Sequence, residues 1–324
     1  MGYSILIKER LTALQQAKKD ITYRSRSTHN FIKPNGRSAD FTSSIAYGCL
    51  EACSYCYVQR NNLQGNPLTL YTNLDELILQ YKNHVDKLPN PKPLGFKPCP
   101  SKYPNGEQDP KHYTYDIGES SDLLHPKAIP YLNKLLTELV PYSLFKPTLA
   151  SKICNVVTVS KLIDCPVESK ARIRASVAPQ SVIDRTELFT AKVEDRILGL
   201  NLAVDKGYEG HLNFSPIILT HSWLQDYRDL MCLIDSLLSD KAKNQVKCEV
   251  IFLTHHKTLS MWNKKHFPID SEELLWKPDL QEHKVNQRGS AVLRYQWRLK
   301  QQACKDFSRL VTEYLPYVSI RYMF

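Results

Sequence analysis

Apolar residues recur at helical spacing over residues 73–86. Leu74, Leu77, Ile78, Tyr81 and Val85 would share one face, and Asn73 stands where an N-cap belongs. The same spacing predicts helices over 127–140, 190–206 and 297–314, a short one near 155–161, and one over 223–238. The face of this last helix would be Trp223, Tyr227, Leu230, Met231, Ile234 and Leu238. Between the helices lie short β-rich runs at 41–47, 113–118, 147–151, 172–177, 211–215, 248–254 and 318–322. The 248–254 run is apolar enough to be buried on both faces. Six or so βα units in succession argue for an α/β fold: a parallel sheet with helices outside, closed into a full or partial barrel. Residues 1–40 are polar and basic, with Arg24, Arg26, Lys33 and Arg37, and are expected to form an N-terminal arm beginning with a short helix. Residues 41–324 would then be the barrel domain. Residues 88–111, rich in Pro, Lys and Gly, form the longest irregular stretch, a length that is usually functional or mobile.

The composition is that of an ordinary globular chain of 324 residues, 42% hydrophobic and 23% charged. No run approaches the roughly 18 apolar residues of a membrane span. The N-terminus interrupts its only apolar run with charges, so no cleaved leader and no membrane partner are expected, and the location expected is the cytoplasm. A net charge of +10 favours polyanionic partners, although solubility alone would also account for it.

In a cytoplasmic chain the nine cysteines are better read as ligands, nucleophiles or small buried groups than as disulfides. Six are scattered, but Cys49, Cys53 and Cys56 lie together in Gly48-Cys-Leu-Glu-Ala-Cys-Ser-Tyr-Cys-Tyr57, directly after the first β-rich run. Thiolates suit iron–sulfur clusters or zinc. A structural zinc site would want a fourth ligand, and no second CxxC or HxxxH is present to give it, so a distant Cys or His would have to complete it. Three buried cysteines without a metal is the remaining alternative. Three thiolates on a cubane would leave one iron open to a small molecule.

The CxxxCxxC spacing resembles that of the radical S-adenosylmethionine (SAM) superfamily. Further segments resemble, in order, those of the spore photoproduct lyase family: GCLEACSYCYVQ, YDIGESSD, LASKICNV, RIRASV, HLNFSPII, IFLTHH and IRYMF. The resemblance covers the chain from about residue 40 to the C-terminus. It implies a partial (β/α)6 TIM barrel of the radical SAM type, a [4Fe–4S] cluster on Cys49, Cys53 and Cys56, and SAM on the open iron. It also implies an electron donor such as flavodoxin or ferredoxin. The implied reaction is direct reversal of the UV-induced thymine dimer 5-thyminyl-5,6-dihydrothymine, the spore photoproduct, through a 5′-deoxyadenosyl radical that takes hydrogen from C6 of the lesion. Lys152 and Ser176 match positions that hold the SAM carboxylate, and Ser120 a third position near the cofactor. Lys152 could instead be a surface lysine, Ser176 an ordinary strand residue, and Ser120, Ser121 and Asp122 helix caps.

One position departs from the family. Its hydrogen donor is a cysteine where this chain has Glu119, and a carboxylate cannot give up a hydrogen atom at useful cost. Cys99 reaching in from its loop, Tyr55 or Tyr57 acting directly, or a different substrate such as a modified RNA base would each resolve this. The stretch 283–298 mixes basic and aromatic residues around a Gly-Ser turn and matches the family's C-terminal β-hairpin for DNA. Arg288, Arg294, Tyr295 and Arg298 are the contacts implied with double-stranded DNA carrying a thymine lesion. A solvated loop is the plainer reading. Lys264 and Lys265 are further basic residues with no specific pattern. A nucleic-acid-binding protein with a purely structural metal site is the non-enzymatic alternative.

Overall fold

A computed structural model describes residues 2–17, 21–35, 37–58, 67–98, 109–285, 289 and 291–324. In chain order the strands are β1 (Ile21–Arg24), β2 (Lys33–Pro34), β3 (Phe41–Thr42), β4 (Ala46–Tyr47), β5 (Leu68–Tyr71), β6 (Tyr113–Asp116) and β7 (Phe145–Ser151). They continue with β8 (Arg172–Val177), β9 (Glu209–Ile217), β10 (Lys247–Phe252), β11 (Thr254–His255), β12 (Gln281–Val285), β13 (Ala291–Tyr295) and β14 (Ser319–Met323).

The main sheet has the order β14-β10-β9-β8-β7-β6-β3-β2. Every pairing in it is parallel except β2 with β3. Six strands from β3 to β10 therefore follow one another in space as in sequence, which is the partial barrel expected, with β14 added as a seventh parallel strand. Two small sheets flank it, β1-β5-β4 and β11-β13-β12. Part of the 1–40 stretch is woven in: Gly2–Ala17 is a helix, while β1 and β2 pair into the sheets and Phe31 is buried.

The strands alternate between an apolar outer face and a polar inner one. Tyr115, Phe145, Leu149, Ile173, Leu212, Phe214 and Val250 are buried in the shared apolar core. Asp116, Thr148, Arg172, Arg174, Ser176, Asn213 and Glu249 are buried between them. Arg174 on β8 holds Asp116 on β6 at 2.8 Å and Glu249 on β10 at 3.0 Å. Those strands are not neighbours, so the guanidinium crosses the concave face of the sheet. Nearer the starts of the strands, Lys146 pairs with Asp109 (2.6 Å) and Glu209, and Arg172 (3.2 Å) and His211 (2.8 Å) both reach Glu209. The barrel interior is thus an ion network rather than an apolar plug.

The amphipathic helices lie where their spacing put them. Helix Leu74–Val85 buries all five apolar positions named above. Asn73 does not cap it by side chain; its amide accepts the Arg26 N–H at 2.8 Å and donates to the Arg26 carbonyl at 2.9 Å, tying β1 to the helix. Pro147 is tolerated inside β7 because pairing with β8 begins only at Thr148. The run 41–47 is two strands, not one. After β3 the chain is held to Asp116 and Ile117 by the Ser43 and Ile45 N–H groups, then crosses to pair with β5. This peeling-off carries the cysteine loop over the mouth of the barrel. Among the described residues, no helix is long and apolar enough to cross a membrane.

Candidate active site

The cysteine loop is anchored from several sides. Gly48 turns at φ +87° and donates its N–H to the Ser120 carbonyl at 3.0 Å. Ala52 sits at φ +52°, a left-handed conformation that costs a non-glycine residue roughly 1 kcal/mol. That cost is offset by bonds on either side: Phe189 N–H to the Glu51 carbonyl (3.3 Å), Ser54 N–H to the Thr186 carbonyl (2.8 Å), and the Asn263 amide to the Ser54 carbonyl (2.8 Å). Cys53 is buried, while Cys49 and Cys56 are half-buried.

Burial pushes the Cys49 and Cys53 thiols well above their ordinary value, and Glu51 beside Cys49 and Glu187 beside Cys53 push the same way. The Cys49 thiol donates to the Glu51 carboxylate. Such thiols become thiolates when a metal is bound, because the metal's charge reverses that balance. Among the described residues no group of three His, Cys, Asp or Glu is close enough to hold a single metal ion. Ligands on one zinc ion stand about 4 Å apart, whereas a cubane spreads its thiolates wider. Three thiols held on one short loop are a donor set that suits an iron–sulfur cluster.

Glu187, which sequence reasoning did not single out, is the hub beside the loop. Its side chain is fully buried and pairs with Arg196 at 2.6 Å and Lys152 at 3.0 Å. The Tyr55 hydroxyl donates to it, and its backbone forms a bridge with Cys53. Burial alone would raise its pKa, but Lys152, Arg196 and Tyr55 together hold it down at about 2. Burial and the same carboxylate push the Tyr55 phenol well up. Lys152 also donates to the Ser215 carbonyl at 2.9 Å. Two of its three N–H donors are therefore used, leaving one for a ligand carboxylate. Lys152 is partly buried at the cavity wall, not a free surface lysine.

The loop and Lys152 open on a cavity of about 610 Å³ at the barrel mouth. Tyr55, Cys56, Tyr57, Glu119 and Lys152 form part of its wall. Tyr57 is 41% exposed and donates its hydroxyl to the Glu119 carbonyl. The Glu119 carboxylate accepts from Thr42 Oγ1 at 2.9 Å. Ser120 is brought to the loop through its backbone. Ser176 is buried and accepts from the Asn213 amide at 3.3 Å. Asn213 Oδ1 and Thr148 Oγ1 are buried in the barrel interior with no hydrogen-bond partner among the described residues. Asp122 caps no helix by side chain in the way suggested. It accepts from Ser151 Oγ (3.0 Å) and the Lys152 N–H (2.7 Å) and fixes the end of β7. Cys99 and Arg288 lie outside the described residues. Among the described residues Cys56 is the one cysteine on the cavity wall.

The expected hairpin is present, β12 pairing antiparallel with β13 from Gln281↔Tyr295 to Val285↔Ala291. Arg294 lies on the cavity wall with Arg37 and Lys300, while Arg298 is exposed on the following helix. Burial, with Arg294 and Arg37 nearby, pushes the Lys300 ammonium down. Tyr295 is placed otherwise than expected for a DNA-stacking residue. It is 1% exposed, and its hydroxyl accepts the Leu219 N–H at 2.8 Å. Arg294 and Tyr295 both border the cavity, the tyrosine from within the core and the arginine half-exposed on its wall.

The chain matches the family described as "Spore photoproduct lyase" over residues 5–324. It is 23% identical to the spore photoproduct lyase of Bacillus subtilis (strain 168) over 273 residues, 82% of this chain and 71% of that protein. It is 24% identical to that of Clostridium acetobutylicum over 289 residues, 88% and 77% of the two chains. Its fold is that of a spore photoproduct lyase solved with dinucleoside spore photoproduct (TM-score 0.80, 18% identity, 96% of this chain and 84% of that one). A variant solved with bound AdoMet and the same dinucleoside superposes with TM-score 0.81 at the same identity and coverage. The chain belongs to the spore photoproduct lyase family.

Proposed function

We infer that this chain is a radical SAM lyase that reverses the spore photoproduct in DNA. The observation that carries the reading is the anchored loop of Cys49, Cys53 and Cys56 at the mouth of a cavity whose wall includes Lys152, Arg294 and Lys300, in a chain that matches the family nearly end to end. Cys49, Cys53 and Cys56 would hold a [4Fe–4S] cluster; Lys152 would meet the SAM carboxylate, with Ser120 and Ser176 nearby. When bound, the pair supplies one-electron cleavage of SAM and so the radical that activates the lesion.

The chain's own groups do the rest. Glu187 fixes Lys152 and Tyr55. Arg294, Lys300 and Arg37 give the wall a positive side that suits the phosphates flanking a lesion. Arg298 and the hairpin would extend that contact along the duplex. Tyr57 replaces the cysteine absent at position 119 as hydrogen-atom donor: both tyrosines border the cavity, but Tyr57 is the more exposed and is held by a backbone carbonyl, whereas the Tyr55 hydroxyl is held by the buried Glu187 carboxylate. The electron would come from a carrier of the flavodoxin or ferredoxin kind.

Glu119 in the donor position favours a second reading, the same chemistry on another modified nucleobase. Lesion dependence separates the two. Tight binding of duplex DNA carrying the thymine crosslink, over undamaged duplex and over RNA of the same sequence, is the expected result. Equal or tighter binding of the RNA would favour the second reading.

A further inference from the structure

Helix Lys257–His266 lies directly on the outer side of the cysteine loop. Its Asn263 amide donates to the Ser54 carbonyl at 2.8 Å. Just past its end Phe267 packs on Ala52 of the loop, with Trp262 and Ile269 against them. Leu259, Ser260 and Asn263 make the buried face of the helix. At about 100° per residue, Lys257, Met261, Lys264 and Lys265 fall within an arc of about 100° on the opposite side. All four are exposed, Met261 by 63%.

The stripe is uncompensated. The helix contains no Asp or Glu, and among the described residues Lys257, Lys264 and Lys265 have no ion-pair partner. Arg10 adds a further cation, its guanidinium donating to the Lys264 and Phe267 carbonyls at 3.5 and 3.4 Å. Burial and the cations of Lys265 and Arg10 push the His266 imidazole down. Lys264 and Lys265 favour the C-terminal end of the helix, but gathered with Arg10 and Lys257 they also repel one another, and no acidic side chain of the helix offsets them. An exposed methionine ringed by lysines, with Trp262 half-buried beside it, has the form of a protein-docking patch: an apolar centre with a charged rim.

We propose that the outer face of helix Lys257–His266 is the docking site for an acidic single-electron carrier protein, which would deliver its electron through the Phe267–Ala52 contact to the cysteine loop. This rests on the proposed function, because only a cluster on that loop gives a carrier a reason to dock there. Electron transfer weakens steeply with distance, and one helix is all that stands between this face and the loop. Positive potential over the site would steer an acidic partner and speed its encounter. A nucleic acid is the less suitable occupant: the stripe points away from Leu259, the residue through which this helix lines the cavity, and its centre is apolar.

The test uses the full chain and flavodoxin as the probe. Flavodoxin affinity is measured by titration at low salt, and turnover with reduced flavodoxin is compared with turnover on dithionite. For K264E/K265E the flavodoxin dissociation constant should rise about tenfold or more, with the difference shrinking as salt screens the charges. Met261→Ser, which removes the apolar centre without changing charge, should weaken binding without that salt dependence. Dithionite-driven turnover and affinity for damaged duplex should stay at wild-type values in both variants. Unchanged flavodoxin affinity, no binding by the wild type, or a fall in duplex affinity in place of carrier affinity would each overturn the proposal. Absence of SAM cleavage on dithionite in the wild type would instead refute the proposed function, and the titration, which needs no turnover, still decides the stripe.

Discussion

Replacing Glu187 with Gln removes one negative charge from a pocket that holds two cations. Glu187 and Arg196 are both fully buried at the side chain, and Lys152 is 19% exposed. Gln keeps the shape and one acceptor oxygen but leaves the Arg196 guanidinium unpaired in the interior. Breaking a buried pair by removing one partner costs about 3–5 kcal/mol, most of it the unpaired charge that remains. Arg196 retains the Ala191 and Ser176 carbonyls at 2.9 Å each, which places E187Q near the lower end. Urea unfolding reads this directly. With a slope of about 3 kcal/mol per M, a loss of about 3 kcal/mol lowers the midpoint by about 1 M with the slope unchanged. E187Q/R196M should recover most of the loss, since the fully buried guanidinium is gone and Lys152, 19% exposed, keeps the Ser215 carbonyl and can turn to solvent. A midpoint shift below about 0.3 M in E187Q, or a double variant no better than the single one, would refute the argument that Glu187 is the hub of this pocket.

His211 is fully buried, and burial, with Arg172 nearby, holds it down at about 4 despite Glu209. A depressed histidine gives stability that is complete above about pH 6.5 and lost as pH falls toward 4, here about 3 kcal/mol. His211→Gln should flatten the stability profile across that window in pH-dependent unfolding, and an unchanged slope would count against it. Tyr57→Phe should cut formation of repaired thymine by tenfold or more, read by mass spectrometry, while 5′-deoxyadenosine is still produced; full repair would return the donor role to Cys99 or Tyr55. Arg294→Ala and Lys300→Ala should each lower the slope of log affinity against log salt by about 0.9 if each neutralises one phosphate. Unaltered slopes would place the duplex elsewhere.

Much of this was legible because it is periodic. The face of helix Leu74–Val85, the strand at Arg172–Val177 and the alternation that builds the barrel depend on local spacing alone. Helix Lys257–His266 was not, because its buried face is Leu259, Ser260 and Asn263 and so shows no apolar stripe. The cysteine spacing identified the loop. Glu187 could not be found that way: it lies 132 residues from Tyr55 in sequence, in a segment with no motif, and gains its role only when Arg196, Lys152 and Tyr55 converge on it. Tyr295 shows the opposite failure. A basic and aromatic run suggested surface contacts, but Tyr295 is buried with its hydroxyl held by the Leu219 N–H and meets the cavity only from the core, while Arg294 is half-exposed on the wall.

The most direct test of the central claim is an anaerobic reaction of the iron–sulfur-reconstituted chain with SAM, dithionite and duplex DNA bearing the thymine crosslink, followed by mass spectrometry. Loss of the crosslink with matching gain of thymine, abolished in Cys49→Ala, is the expected result. Formation of 5′-deoxyadenosine with the crosslink intact would contradict the assigned substrate, and SAM cleavage retained by Cys49→Ala would contradict the cluster site itself.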